Sequence, residues 1–216
     1  MGMIIFLLVL TSQSVSAEPY LPSQDGEIVI EAENFDANLP QGGQAWIQNV
    51  TPGYVGDGAM QASPDIGIVR NGAIGTESPR LDFEVNYSTP VNLNVWIRGL
   101  GPDWNADSIW IGVDGNSSGA VRVTLPKNAI TWERLRGQLS VPAGVHTINI
   151  WMREDGAIID RLILTPQSIL PSGDGPPESI RAGGDPTNTW PVAINDSFTV
   201  AEDSVGNSLP VLADNG

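Results

Sequence analysis

The 216-residue chain contains no cysteine and a single histidine, which excludes several kinds of site at once. Without cysteine there is no disulfide framework and no thiolate metal centre. Stability must then come from a hydrophobic core, or from an ion held by oxygen ligands. The one histidine, His146, closely follows a Pro-Ala-Gly turn, so we interpret it as a strand-end residue and not as a general base.

Positive charge is also scarce. Lys and Arg number 10 against 25 Asp and Glu, which gives a formal net charge of −15 at pH 7. Such a chain repels the phosphate backbone of nucleic acids and anionic lipid, so we expect neither as a partner. The charge suits a secreted protein that meets divalent cations or neutral polymers.

Long hydrophobic runs are missing as well, since a membrane-spanning helix needs about 20 apolar residues. A short apolar run at residues 3–10 leads into small residues ending at Ala17, a pattern typical of a cleaved signal peptide. We therefore predict a signal peptide over residues 1–17, a secreted or cell-surface location, and no membrane insertion after cleavage.

What the chain does contain is strand-like alternation of apolar and polar residues. The pattern occurs at residues 28–33, 81–85, 92–98, 108–114, 132–141, 147–153 and 158–164. Gly, Asn, Asp and Pro separate these runs, and no segment keeps a helical period. This predicts an all-β sandwich over residues 26–166.

Beyond residue 166 the composition changes. Residues 167–190 are rich in Pro and Gly, which predicts a disordered linker. Strand patterning restarts at 191–216, a stretch too short to close a sandwich. We expect this to be the truncated start of a second β domain in a longer polypeptide.

Acidic residues suggest a metal site. If residues 28–33 form one strand, Glu31 and Glu33 leave it from the same face, where their carboxylates repel unless a cation joins them. Asp160 opens the last strand and approaches them if the two strands pair. Three oxygen donors suit Ca²⁺. The alternative is a solvated strand face on which the glutamates only protect an edge.

Tryptophan is abundant, with seven residues. Trp96, Trp110 and Trp151 lie opposite the aliphatic residues of three predicted strands. They form an exposed ladder if those strands are neighbours, or are covered by another segment.

Loop aromatics are stronger candidates for ligand binding. Trp104 lies in a Gly- and Pro-bounded polar loop, and Trp46 and Tyr54 flank another. Glu154 and Asp155 belong to the turn before the last strand and offer acceptors for hydroxyl groups. An indole plane beside such groups is a common way to hold a sugar.

Enzyme chemistry has little support. Residues 115–119 match the Gly-x-Ser-x-Gly pattern but lie between strands, without the helix that a nucleophile elbow requires. No phosphate-binding loop, zinc spacing or dinucleotide motif is present. We expect a non-enzymatic chain, although the full-length parent could be a glycoside hydrolase or lyase.

Four stretches together resemble a known family. They are residues 31–35 (Glu-Ala-Glu-Asn-Phe), 53–60, 95–98 and 155–164. In this order they are similar to the family 6 and family 35 carbohydrate-binding modules, which are galactose-binding-like jelly rolls. The tail at 191–203 resembles the start of bacterial cadherin-like or immunoglobulin-like tandem repeats.

The resemblance implies a jelly-roll sandwich with structural Ca²⁺ at the positions of Glu31, Glu33 and Asp160. It also implies a sugar site in loops at one end, near Tyr54, Trp104 and Asp155, or on a sheet face. Many members carry an asparagine near the end hairpin, where this chain has Glu154-Asp155-Gly156.

Two functions follow from these observations. One is a monomeric, non-catalytic module that binds a polysaccharide or glycan by stacking and hydroxyl hydrogen bonds. The other is a structural or adhesive spacer without sugar affinity. Exposed Trp104 and Tyr54 favour the first, whereas buried loop aromatics favour the second.

Overall fold

The computed structural model of the protein describes residues 18–184, and in this part of the chain twelve strands form two antiparallel sheets. The predicted all-β sandwich is confirmed. The predicted signal peptide (1–17) and the predicted second β domain (191–216) lie outside the described residues. Within 18–184, no helix has both the length and the apolar character needed to cross a membrane.

The strands follow one another with short connections. In chain order they are β1 (Ile28–Glu31), β2 (Ala37–Leu39), β3 (Ala45–Asn49), β4 (Ala59–Ser63), β5 (Arg80–Tyr87), β6 (Val91–Leu100), β7 (Ser108–Val113), β8 (Val121–Thr124), β9 (Thr131–Arg134), β10 (Leu139–Val141), β11 (Gly144–Met152) and β12 (Ile158–Thr165). The helical elements are two 3-10 turns, Ala32–Asn34 and Ser117–Gly119, and one α-helical turn, α1 (Ile74–Glu77).

One sheet has five strands in the order β2-β5-β11-β7-β8. The other has seven, built on the order β10-β6-β12-β4-β3, with β1 added to β12 and β9 added to β6. The last strand, β12, pairs with β1, β4 and β6 and is buried along its whole length. It therefore holds the larger sheet together.

The core lies between the sheets and follows from the alternation of the sequence. Ile109 and Ile111 on β7, and Ile148 and Ile150 on β11, point inward and are fully buried. Successive strand residues face opposite sides, so period-two patterning supplies one continuous apolar layer. Each of these side chains contributes about 1.5–3 kcal/mol by leaving water.

The outward-facing tryptophans do not form a three-member ladder. Trp110 and Trp151 are direct cross-strand partners in the smaller sheet, but Trp96 lies on β6 of the larger one. Trp96 and Trp151 are buried, and Trp110 is half-buried with its indole N–H donating to the Arg70 carbonyl at 2.8 Å. Of the two interpretations, coverage by other segments is the one that the structure supports.

Residues 167–184, predicted as part of a disordered linker, instead run across the sandwich, and we call this segment the strap. Glu178 accepts hydrogen bonds from the Tyr20 hydroxyl at 2.6 Å and from the Glu31 amide at 3.0 Å. The Trp132 indole donates to the Gly173 carbonyl at 2.9 Å. The linker prediction is wrong for these residues, because side-chain contacts anchor a segment that has no regular secondary structure.

Candidate functional site

Several loops meet at one end of the sandwich and carry most of the predicted ligand residues. A Cβ on Gly156 would lie 2.7 Å from the Asp65 carboxylate and 2.9 Å from the Ala106 methyl group. The hairpin around Gly156 therefore touches both the loop after β4 and the loop between β6 and β7. The second of these loops also joins the segment after β8, because the Gly101 amide donates to the Pro126 carbonyl at 2.7 Å.

Trp104 projects from this end and is 80% exposed. The Lys127 ammonium lies 4.0 Å from the centre of its ring and also pairs with Asp107 at 2.5 Å. A cation over an indole ring is attracted by the ring's negative face. This contact gives Trp104 a partner on one side while most of the side chain stays in solvent.

Glu154 is buried and fastens the Trp104 loop to the sandwich. Its carboxylate accepts hydrogen bonds from the Asp107 amide at 3.0 Å and the Ser108 hydroxyl at 2.7 Å, and it forms an ion pair with Arg153. The prediction that Glu154 contacts a ligand is therefore wrong, because both of its carboxylate oxygens already have partners within the protein. It shapes the site without facing the solvent.

The prediction that Asp155 contacts a ligand is also corrected. It is fully buried, and its carboxylate accepts hydrogen bonds from three consecutive backbone amides, at 2.8 Å from Ile66, 3.2 Å from Gly67 and 2.9 Å from Ile68. The Gln44 side chain adds a longer contact at 3.4 Å. The sequence Asp-Gly resembles an exposed turn, but here the aspartate organises a neighbouring loop.

Trp46 belongs to the core and is only 2% exposed. Strand β3 places it toward the other sheet, where its indole N–H donates to the Pro79 carbonyl at 3.2 Å, while the next residue, Ile47, faces outward. The prediction of a ligand-binding Trp46 is wrong, because the short strand around it was not recognised and the residue was assigned to a loop.

Tyr54 is 37% exposed and lies in a different loop, residues 50–58. The amide of Val55 donates to Asp160 at 2.9 Å, and the carbonyl of Gly53 accepts from Arg98 at 2.7 Å. These contacts bind the Tyr54 loop to the acidic residues described next, and not directly to the loop that carries Trp104.

Two of the three predicted metal residues, Glu31 and Glu33, come together around Gly56. A Cβ on this glycine would lie 2.5 Å from a Glu33 carboxylate oxygen and 3.4 Å from the Glu31 carboxyl carbon, so a larger residue would have to displace the Glu33 carboxylate. Strands β1 and β12, whose pairing the sequence left open, do pair, with Glu31 opposite Arg161. However, β1 ends at Glu31, and Glu33 reaches the group from the following 3-10 turn and not from the same strand face.

Two arginines that sequence reasoning did not assign to the site compensate this acidic group. Arg161 pairs with Glu31 at 2.8 Å, and Arg98 pairs with Asp160 at 2.5 Å. A charged residue in a buried strand needs a partner of opposite charge. The position of Arg98 and Arg161 within apolar strands was therefore the sequence signal that could have identified them.

Burial raises the pKa of Glu31 to about 7; Arg161 lowers it, and the neighbouring carboxylates of Glu33 and Asp160 raise it. Burial also raises the pKa values of Glu33 and Asp160 above their usual range. Burial therefore disfavours the charged form of each of these three carboxyl groups.

The hydrogen-bond partners of the carboxylate oxygens indicate which of these residues could bind a cation. Asp160 uses one oxygen for the Val55 amide and the other for Arg98. In the described part of the chain, no three Asp, Glu, His or Cys side chains form a group that could hold a metal ion. Glu31 and Glu33 each keep one buried carboxylate oxygen without a hydrogen-bond partner. These two oxygens fit a hard cation such as Ca²⁺, with remaining ligands from backbone or water.

Comparison with known proteins first supports the fold. No curated protein matches it. Among solved structures it is similar to a GH26-CBM35 β-(1,4)-mannanase of Podospora anserina, with 21% identity and a TM-score of 0.51 over 68% of this chain. The chain covers 29% of the length of that structure. This likeness supports the sandwich fold.

Two isolated family 35 modules are also similar. The module of Paenibacillus barcinonensis has 20% identity and a TM-score of 0.46, over 64% of this chain and 98% of that one. The module of Clostridium thermocellum has 17% identity and a TM-score of 0.46, over 64% and 96%. A family model, the glycosyl hydrolase family 115 C-terminal domain, matches residues 22–178, which is more than two thirds of the chain. The chain therefore belongs to the glycosyl hydrolase family 115 C-terminal domain family.

Proposed function

We propose that this chain is a non-catalytic carbohydrate-binding module of a secreted multidomain protein, with its glycan site at the Trp104 end of the sandwich. The observation that carries the proposal is the 80% exposure of Trp104 on a loop whose base is fixed by buried hydrogen bonds. Sugars present C–H patches and hydroxyl groups, which suit an indole face with polar neighbours. The family 35 module named in the mannanase structure also supports a carbohydrate-binding role.

The surroundings of Trp104 supply those polar neighbours. Burial raises the pKa of Asp65, and the negative charges of Asp155 and Asp103 raise it further. Asp65 therefore lies close to Asp103, the residue that precedes Trp104 in the chain. Exposed carboxylates at a loop end accept hydroxyl hydrogen bonds. Because Glu154 and Asp155 hold the loops from below, the site is preformed, and little conformational entropy is lost on binding.

We further propose that Ca²⁺ joins Glu31 and Glu33 and has a structural role. The two unpartnered buried oxygens and the raised pKa of Glu31 support this. An ion bound only by the folded state stabilises it by about 2.7 kcal/mol when its free concentration is 100 times Kd. For a chain of this size, that corresponds to a rise in melting temperature of about 5–10 °C.

A non-catalytic role is proposed because the sequence motifs with catalytic resemblance lie in unsuitable places. Residues 115–119 form an exposed turn with a 3-10 segment, in which the Asn116 side chain accepts from the Gly119 amide at 3.2 Å. The His146 ring pairs with Asp114 at 2.7 Å at the end of β11, on the surface. The hydrogen bonds cited here join each motif to its own turn or to a neighbouring strand end, and not to the loop that carries Trp104.

Native gels that contain soluble neutral polysaccharides test the glycan site. We expect one polymer to retard the protein, and Trp104→Ala to weaken the retardation at least tenfold, as a central aromatic contact would. Ile169→Ala, which removes another exposed apolar side chain, is the matched control. Retardation that persists in Trp104→Ala would move the site elsewhere, and no retardation by any polymer would favour the spacer.

Melting curves with calcium and with chelator test the metal. We expect a higher melting temperature with calcium in the parent chain and a smaller shift in Glu33→Gln, which removes a free oxygen but leaves both ion pairs intact. An equal shift in the two proteins would place any calcium away from Glu33.

A further inference from the structure

A cleft of about 480 Å³ opens at the edge of the sandwich, away from the predicted site residues. It runs between β8, the terminal strand of the smaller sheet, and the segment at and after β9, which is a strand of the larger sheet. Its lining residues are Arg122, Val123, Thr124, Leu125, Glu133, Arg134 and Arg136. The volume falls within the range of about 300–1,000 Å³ that is common for ligand sites.

The charge of this cleft is opposite to that of the chain. Three arginines and one glutamate give the lining a formal charge of +2, in a chain with a net charge of −15. A local positive region in an acidic protein attracts anions only over short distances, because the remaining charge repels them.

The arginines of the cleft are also the ones that lack carboxylate partners. All ten Lys and Arg residues lie between residues 18 and 184. Those with an ion pair to Asp or Glu are Arg70, Arg80, Arg98, Lys127, Arg153, Arg161 and Arg181. The three others in the described residues are Arg122, Arg134 and Arg136, and all three line the cleft. With 25 acidic residues available, unpaired arginines gathered in one place indicate a site for an anion from outside.

Two of these guanidinium groups are held in position by neutral partners. Arg134 donates to the Asn94 side chain at 2.6 Å, lies 5.9 Å from the Trp96 ring centre, and keeps a buried Nε–H without a partner. Arg122 donates to the Thr124 hydroxyl at 3.0 Å. Neutral partners orient a guanidinium group without neutralising it, so each can still bind an oxyanion through paired N–H groups.

We propose that this cleft binds the anionic groups, carboxylate or sulfate, of an acidic polysaccharide. The inference rests on the proposed carbohydrate function and adds a second site with different chemistry. Leu125 lines the cleft, and Lys127, two residues further along the chain, contacts Trp104. The cleft and the Trp104 loop are thus joined by one short chain segment, and we expect neutral sugar rings to bind at the loop and charged groups in the cleft.

Isothermal titration calorimetry on the full chain tests this, with tetragalacturonate as the carboxylate probe, sucrose octasulfate as the sulfate probe and maltotetraose as the neutral control. We expect one or both anionic probes to bind and to do so more tightly than the neutral one. Arg122→Gln and Arg136→Gln should each weaken that binding about tenfold, the usual effect of losing a hydrogen bond to a charged group. Both arginines are exposed, so the variants are expected to fold.

The controls separate this site from the Trp104 site. Arg70→Gln changes the net charge equally but removes an arginine paired with Glu77, and it should bind the anionic probes as the parent does. Trp104→Ala should also keep anionic binding. Anionic binding that is lost in Trp104→Ala and unchanged in the cleft variants would overturn the proposal, as would the absence of any anionic binding. Equal binding of a hexaglutamate peptide would instead identify the cleft as a protein-binding site.

Discussion

Replacing Asp155 with asparagine should destabilise the protein strongly, although a ligand role for this residue would predict a loss of binding alone. The Asp155 carboxylate accepts three backbone hydrogen bonds, from Ile66, Gly67 and Ile68, and is fully buried. Asparagine has nearly the same shape but only one acceptor oxygen. Its NH₂ group must therefore face at least one backbone N–H donor.

The magnitude follows from the hydrogen bonds lost. A hydrogen bond to a charged acceptor contributes about 1.5–3 kcal/mol, and a buried donor left without a partner costs about 1–3 kcal/mol. If the asparagine side chain keeps the hydrogen bonds of one carboxylate oxygen and loses those of the other, the unfolding free energy falls by about 3 kcal/mol. For a chain of this size, this lowers the melting temperature by about 6–12 °C.

Urea denaturation and thermal melts of Asp155→Asn measure this change. Asp103→Asn is the matched control, because Asp103 accepts a single backbone hydrogen bond from Asn105 at 2.7 Å and lies at the surface. The control should stay within about 0.5 kcal/mol of the parent. A loss of less than 1 kcal/mol in Asp155→Asn, or an equal loss in the control, would refute the assignment of Asp155 as a structural anchor.

Three other predictions follow. Gly56→Ala should melt well below Gly43→Ala, because both positions have positive φ (68° and 78°) but only the Gly56 methyl group meets a glutamate oxygen, at 2.5 Å; equal melting would argue against the close approach. The hydrogen bond to Asp114 raises the pKa of His146 above 6.5, so this pair stabilises the fold fully below pH 6.5 and less as pH rises through the shifted pKa. The melting difference between the parent and His146→Gln should accordingly shrink from pH 6 to pH 8, and a constant difference would contradict this. Removing the strap should lower the melting temperature and red-shift tryptophan fluorescence, since it uncovers Trp132; unchanged emission would show that the strap does not cover the indole.

Much of the fold could be predicted from the sequence, but not all of it. The long strands β5, β6, β7, β11 and β12 agree with the predicted segments, because alternating side chains must segregate to two faces. The short strands β2, β3, β4 and β8 were not predicted. They contain few β-branched residues or only four positions, and they become strands because a neighbouring strand pairs with them.

In the candidate site, too, some features could be predicted from the sequence and others could not. The sequence placed Trp104 in a loop where no apolar pattern required the indole in a core, but its exposure was left open until the structure showed it. The convergence of Glu31, Glu33 and Asp160 remained conditional on the pairing of β1 with β12, which the tertiary structure supplies. The burial of Asp155 had no local signal, because its partners are the amides of a loop almost ninety residues earlier in the chain.

The sequence by itself determined the two-sheet sandwich, the acidic character of the molecule and the absence of thiol chemistry, since these depend on composition and on a local period of two residues. Only the tertiary structure decided which tryptophans are covered, which carboxylates are already satisfied and which arginines remain unpaired. Those properties depend on contacts between residues far apart in the chain, such as Trp132 with the strap and Arg98 with Asp160. No local pattern encodes such pairs, and the chemistry of each site is set by which partners the fold brings to it.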